Sequence, residues 1–488
     1  MKKLFTCMLL LAVSATMMAL DIVVTTVADN ASGEDVIDGS FRAAVRDLAG
    51  GDVIKFAPVD GNTIELKQKI GFSGADMTVV VDGLLPSGQP ITITKSEEAA
   101  VGTRMIGVAD GSSVVCGGLD VTIKNISFEN IATNTNGSAI MAGNGIYNTS
   151  GASSGVTFDL TVENCQFLNC VSTFKPASSG GGGALFVSHG THLVVKNCLF
   201  ANNKVVFVDD NGDPTGAQTS ITFGGGAIGS TGSNTASMKI SNSTFYGNSS
   251  DGRGGAVYSG HHIDVINCTI ANNASGGRGG GLHFNTSSST TAVINTIITN
   301  NTGDGSYGDL TGNATSLIYH SIIGQTNLSQ EQIDAAGPNN ILYTAGMPLF
   351  VSGSPVLADN GGWYQTIAIA NGLASGTGVA TVAGYDIPTT DQRGWTRNTP
   401  PSIGAYEYGA TSAIELQKTP LGNIVASGNR IVLPAGIRGT VAVYDLAGKV
   451  VYSAKVNGGA TVSLPQGAYV VKLIEATGLN SVSKVLLK

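Results

Sequence analysis

The chain has 488 residues, a formal net charge of −8 and 12% charged residues, roughly half the usual share of about 25% in soluble proteins. Its 67 glycines follow no three-residue period, which excludes collagen, and 42% hydrophobic content excludes a charge-rich disordered chain. Lys and Arg are scattered on an acidic background, so there is no electrostatic footprint for nucleic acid.

In chain order the first element is an export signal. Met1-Lys2-Lys3 is a basic start, Leu4 to Val13 an apolar run, and small residues follow at Ala15 and Ala19. Basic, apolar and small-residue regions in that order are the pattern of a secretory signal peptide, here residues 1–19, with Ala15 as the other small-residue cleavage point. The apolar run is too short to span a bilayer core of about 30 Å. Cys7 sits before the core of that run and not at its end, the wrong place for a lipid-bearing cysteine. No later stretch reaches the roughly 18 apolar residues of a membrane helix, so the mature chain is expected to lack a transmembrane segment. The remainder divides into an N-terminal cap with the first rungs (20–110), central repeats (111–345), a terminal region (346–410), a linker (411–425) and a small C-terminal domain (426–488).

The repeats align on one asparagine: VTIKNISFENI from Val121, LTVENCQFLNC from Leu160, LVVKNCLFANN from Leu193, MKISNSTFYGN from Met238, IDVINCTIANN from Ile263 and TAVINTIITNN from Thr291. The shared residues are Asn125, Asn164, Asn197, Asn242, Asn267 and Asn295, spaced 25–45 apart. The residue two before is always Val or Ile, and the residue four before is apolar except at Thr291. The residue after is Ile126, Cys165, Cys198, Ser243, Cys268 or Thr296; three after is Phe128, Phe167, Phe200, Phe245, Ile270 or Ile298; six after is Asn in the last four copies. Apolar residues at these places are two period-two strands whose phase slips by one at the Asn. A slip turns the chain while both apolar faces stay inward, and Asn tolerates the left-handed backbone such a bend needs. Stacked copies would let each Asn amide bond to the next rung, a structural ladder.

Between the Asn segments stand Gly-Gly-Gly-Ala at Gly181–Ala184 and Gly224–Ala227, Gly-Gly-Ala at Gly254–Ala256 and Gly-Gly-Gly at Gly279–Gly281. Leu185, Ile228, Val257 and Leu282 follow, which predicts a third strand entered through a Gly turn. Three short strands per copy, stacked about 4.8 Å apart, make a parallel β-helix with loop insertions between constant rungs. Cys165, Cys198 and Cys268 share a column, so they are expected as small buried core residues, although neighbouring rungs would also place Cys165 and Cys198 within reach of a disulfide. From about Asn423 short strand candidates at Ile431–Leu433, Val441–Tyr444, Val450–Tyr452, Val462–Leu464, Tyr469–Leu473 and Val482–Leu487 predict a small β-sandwich.

Candidate chemistry is sparse. Asp209, Asn211 and Asp213 alternate oxygens in the longest insertion and are the candidate calcium ligands, although no Glu follows at the twelfth position of such a loop. His261 and His262, and His189 and His192 two rungs earlier, fall at corresponding turns, which favours a structural role. Arg253 and Arg278 each precede Gly-Gly in corresponding turns and would form an exposed Arg row for an anionic glycan. Lys124, Glu163 and Lys196 stand just before the repeat Asn and, with Asp264, are scattered along the text. No catalytic set is assembled, and no cofactor other than calcium is expected.

Three resemblances cover most of the chain. Residues 21–130, through Gly39-Ser40-Phe41-Arg42-Ala43-Ala44-Val45 and Gly51-Asp52-Val53-Ile54-Lys55-Phe56, resemble the capped start of bacterial right-handed parallel β-helix proteins of the pectate-lyase-like fold. Residues 140–310 resemble the Gly-Gly-Ala-Ile and Phe-x-x-Asn repeats of the polymorphic outer-membrane protein family, with Cys170 where the second motif has Asn. Residues 347–408, through Ala358-Asp359-Asn360-Gly361-Gly362, Asp391-Gln392-Arg393-Gly394 and Ile403-Gly404-Ala405-Tyr406-Glu407, resemble the choice-of-anchor Q region; Arg393 is expected to pair with Glu407 or Asp391 in an end-cap network. Separately, Val443–Val450, Leu464–Lys472 and Lys484–Lys488 resemble the type A sorting domain of the Bacteroidetes type IX secretion system on an Ig-like sandwich. That resemblance implies the type IX machinery as partner and a secreted or cell-surface location. The function expected is a non-enzymatic adhesin, glycan-binding or structural passenger with a surface-glycan or host-matrix ligand. The alternative is a carbohydrate-active lyase or hydrolase on the same scaffold.

Overall fold

A computed structural model describes residues 20–488 except 31–34, 112–113, 144–145, 148–155, 177–179, 189, 219–220, 222, 232–235, 285–290, 306, 313–315, 411–424, 428, 434–437, 446–448, 476–479 and 488. The expected export signal and most of the expected linker therefore lie outside the described residues. Two compact units divide after Ala410. No described helix is long and apolar enough to cross a membrane.

In the first unit the solenoid strands stack into all-parallel sheets, the parallel β-helix the repeats predict, and in the terminal region Leu357–Ala358 pairs antiparallel with Thr366–Ile367. The first sheet has ten strands, from Asp21–Val24 to Leu317–Tyr319; the second has ten, from Thr63–Leu66 to Ile341–Leu342; the third has eight, from Ile70–Phe72 to Leu310–Thr311. A fourth sheet of five short strands, Ala132–Thr133 to Ala274–Ser275, was not expected; it is the arm between the second bend and the Gly turn. Repeat positions stack in register: Val121, Leu160, Leu193, Met238 and Ile263 pair in sequence in the first sheet. In the second, Phe128, Phe167, Phe200 and Phe245 stack with ring centroids 4.9, 4.6 and 4.8 Å apart, the spacing of the rungs.

The phase slip is a left-handed residue, as its geometry requires. The six repeat asparagines have φ between 48° and 58°. A seventh copy, around His320 (φ 47°), uses a different residue and escaped the alignment. Five residues after the first bend comes a second left-handed one, at Asn130, Asn169, Asn202, Gly247, Asn272 and Asn300. The rung-to-rung amide ladder is mainly found one residue later still, not in the predicted column. Asn203 donates to Asn248 at 2.9 Å, Asn248 to Asn273 at 2.9 Å, Asn273 to Asn301 at 2.8 Å, and Asn301 to the Asp309 carboxylate at 2.8 Å. Each acceptor oxygen also takes the backbone N–H of the preceding rung's Asn, and the second amide hydrogen meets a backbone carbonyl, that of Phe200 for Asn248. In the predicted column only Asn295 reaches its neighbour, Asn267, at 3.4 Å; the others with side-chain bonds turn elsewhere, Asn125 to Asp82 and Asn242 to the Thr390 carbonyl.

The Gly turn follows from two constraints at neighbouring residues. Gly225 has φ 88°, and a Cβ on Gly226 would lie 2.1 Å from the Gly255 carbonyl oxygen of the next rung. Among the described residues Cys116, Cys165, Cys170, Cys198 and Cys268 sit in the core, free and fully buried, without a disulfide.

Both ends of the solenoid core are covered. At the N-terminal end the Phe41–Arg46 helix, capped by the Ser40 side chain on the Ala43 N–H, buries Phe41 and Ala44. The other lid is the Gln330–Ala336 helix, unanticipated from the sequence, with a Ser329–Gln332 capping box and Ile333 in the core. Covering terminal rungs protects the open sheet edges.

The second unit has antiparallel sheets of three strands (Val425–Ser427, Arg430–Leu433, Ala460–Ser463) and four strands (Val450–Asn457, Arg438–Tyr444, Gly467–Glu475, Asn480–Leu487). Ile431, Leu433, Val441, Val443, Val462 and Val471 form its core.

Two predictions follow from the ladder. Asn248→Ala strands the Asn203 amides and the Phe200 carbonyl and should cost about 2–4 kcal/mol, whereas Asn197→Gly keeps its bend and should change stability by less than about 1 kcal/mol. Denaturant unfolding of the two variants measures this, and equal losses would refute it. Burial pushes the Asp309 carboxyl from 3.8 up to about 6 despite three N–H donors. Between those values the folded chain holds more protons than the unfolded one, so stability falls as pH rises from about 4 to about 6, by roughly 1–3 kcal/mol. Melting temperature against pH should show that fall in the wild type and a flatter profile in Asp309→Asn.

Candidate functional site

The terminal region does not cap an end. Residues 346–410 run back along the solenoid as a strap over its bends. Tyr364 donates its hydroxyl to the Asn164 carbonyl at 2.9 Å, Gln392 its amide to the Cys198 carbonyl at 3.2 Å, and Asn295 its amide to the Val379 carbonyl at 2.7 Å. Under the strap the outward side of the second sheet is mostly apolar: Leu199, Ala201, Ala271, Ile297 and Ile322 are buried against Tyr364, Phe350, Ile367, Ile369 and Ile403, while Thr244 and Thr269 bond Gln392 and the Ala405 N–H. The last rungs of the first sheet, at Ile266, Ala292 and Ile294, pack against Val379, Val382 and Tyr385.

The expected ion pair resolves into two. Arg393 binds Asp391 through Nε and Nη2 at 2.8 and 2.7 Å and donates to the Glu407 backbone carbonyl, not its carboxylate. Its guanidinium lies between Trp395 and Tyr406, 3.8 Å from each ring centroid. Glu407 instead accepts from Arg397 at 3.3 Å, from the Ser402 N–H and from the Ser402 hydroxyl. Arg397 also reaches Asn242 of the solenoid at 2.8 Å. All four charged side chains are at most 2% exposed. This network holds the strap's shape; with every lone pair engaged internally it offers no acid or base to a substrate.

The candidate calcium residues form an exposed turn. Asp209 Oδ1 accepts the N–H groups of Asn211 and Asp213, and Asp210 pairs with Lys175 at 2.6 Å. Among the described residues no group of three His, Cys, Asp or Glu is placed to hold a metal. His261 is buried, with Nε2 3.2 Å from the Thr231 carbonyl; His262 contacts Asp264 at 3.0 Å; His189 lies outside the described residues. Arg253 and Arg278 occupy the same place on successive Gly turns.

What the sequence left scattered, the sheet register gathers. On the outward side of the first sheet Lys55, Asp82, Lys124, Glu163 and Lys196 pair in sequence, a row of alternating charge. Lys124 reaches Asp82 at 3.1 Å. Four residues upstream along each strand, Asp120, Asp159, His192, Ser237 and His262 form a second row, with His192 Nδ1 2.9 Å from the Ser237 hydroxyl. Burial, and then the Asp159 charge one rung away, raise the Asp120 carboxyl above its ordinary value. The strap leaves these early rungs open. The loops between rungs differ in length, so only the bends identify which residues become neighbours.

Comparison with family models, curated proteins and solved structures finds no match to this chain.

Arg393→Ala removes one partner of a buried pair and should cost roughly 3–5 kcal/mol. It should also open the strap to protease between 346 and 410; a variant as resistant as wild type would show that the network is not what fastens it.

Proposed function

We propose that the chain is an exported, cell-surface or secreted β-helix that binds an extended glycan along the outward side of its first sheet and does no chemistry on it. The observation carrying this is the in-register pair of polar rows, Asp120 to Ser237 and Lys55 to Lys196, repeating at each rung on a face the strap leaves open. A linear polysaccharide likewise repeats its hydroxyls at short regular intervals, so one row can meet several sugar units. The basic and apolar start supports export. The likeness of the C-terminal strands to a type A sorting domain supports delivery by a type IX secretion machinery as partner, followed by release or surface attachment.

One observation favours a second reading, a carbohydrate-active enzyme. Asp120, Asp159 and His192 sit on consecutive strands, and a carboxyl raised by burial beside an exposed one is the pairing acid–base chemistry uses.

The test incubates the secreted chain with polyuronates, glycosaminoglycans and neutral glycans, with and without Ca²⁺, measuring retention and new reducing ends. Retention without new ends is expected. New ends that disappear in Asp159→Asn and His192→Ala would overturn the non-enzymatic conclusion. Absence of retention on every glycan would remove the ligand class.

A further inference from the structure

The third sheet carries an unusual row on its outward side. Tyr258, His283 and Thr311 pair in sequence on successive rungs and are 5%, 3% and 7% exposed. The Tyr258 and His283 rings stack, centroids 5.5 Å apart and 8° from parallel. Neither nitrogen of His283 has a hydrogen-bond partner, nor does the Thr311 hydroxyl or the Arg253 Nε, and all are buried atoms. Buried polar groups are nearly always paired, so four unpaired atoms in one neighbourhood call for an explanation.

Two arginines stand beside them. Arg253 and Arg278 lie at the same place on adjacent Gly turns, joined by backbone bonds in which the Gly225 N–H meets the Arg253 carbonyl and the Gly254 N–H the Arg278 carbonyl. The Arg253 stem passes over Gly277, where a Cβ would come within 3.0 Å of its Cγ. Arg278 is exposed, with its guanidinium 4.5 Å from the Tyr307 ring centroid. Arg42, Arg46, Arg104, Arg393 and Arg397 each have a carboxylate within 4.0 Å; among the described residues Arg253 and Arg278 have none. Burial first, and then the Arg253 and Arg278 charges, push the His283 imidazole down to about 3, so at neutral pH it is an uncharged group near two cations. Two like charges one rung apart, one of them half-buried, repel each other.

We propose that Arg253 and Arg278 together hold an oxyanion, a carboxylate or sulfate carried on an acidic glycan, beside the unpaired His283 and Thr311. Guanidinium forks match the planar oxygen pairs of both anions, and an anion between them removes the repulsion and supplies acceptors. The anion part stands on the local geometry; the sugar part rests on the glycan-binding function proposed above, with the third sheet as a second contact face beside the first.

The test is calorimetric titration of the full-length chain with an oligogalacturonate, a heparin-derived oligosaccharide and a neutral oligosaccharide. The wild type should bind at least one acidic ligand. The exposed-site variant Arg278→Ala should weaken it about tenfold, and Arg253→Gln with Arg278→Ala about a hundredfold, with melting temperature unchanged for the first. Arg278→Lys should recover part of the loss, and neutral binding should not move. Binding of the oligogalacturonate identifies the anion as a carboxylate, and binding of the heparin fragment without the oligogalacturonate identifies it as a sulfate, since that fragment carries both groups. Acidic binding that is the same in the double variant would place the anion elsewhere and leave the glycan function standing. Neutral binding without acidic binding would refute the anion site alone. No binding of any glycan would refute both.

Discussion

A chain that turns several times per rung must bury bends, and each bend carries backbone polar groups into an apolar core. Everything else in this structure depends on how that cost is met. Asparagine meets it twice. At the first bend it adopts the left-handed backbone that lets two inward strand faces meet, as at Asn197. Six residues on, it spends its side chain: Asn248 accepts a backbone N–H from Asn203's rung and donates to both Phe200 and Asn273. With those groups satisfied, neighbouring rungs lock in register, and residues of one kind stack on their own kind, from Phe128 to Phe245.

In-register stacking also decides what the surface can do. It converts single positions into rows, so Lys124, Glu163 and Lys196 become neighbours although long loops separate them. The strap then divides the surface. It occupies the second sheet and the last rungs of the first, where outward residues such as Ile294 and Ile297 are apolar, and leaves the polar rows of the earlier rungs open. Its interior ion pairs, Arg393 with Asp391 and Arg397 with Glu407, are fully engaged in holding its turns.

Much of this was legible in the residues, and the limits have physical causes. The Asn, Phe and Gly columns show plainly because each answers a steric demand that few side chains meet. The repeat at His320 was hidden because its left-handed bend uses one of those few exceptions. The amide ladder was visible as Asn203, Asn248, Asn273 and Asn301, yet a buried amide and a bend amide look alike until the direction of the side chain is known. The strap left one unused sign: Ile266, Ile294 and Ile297 make their strands apolar on both faces, which requires cover on both. The charge rows were illegible because no single residue marks them. They arise from pairing between strands.

The strap imposes an order in time. Tyr364 fastens to Asn164 and Gln392 to Cys198, contacts spanning 200 and 194 residues of chain. Rungs can zip one upon the next through short connections, but the apolar side of the second sheet stays wet until the chain as far as residue 407 has emerged and folded back. The molecule therefore has a built-in late step: a growing chain has rungs formed and a greasy flank uncovered until the strap closes over it.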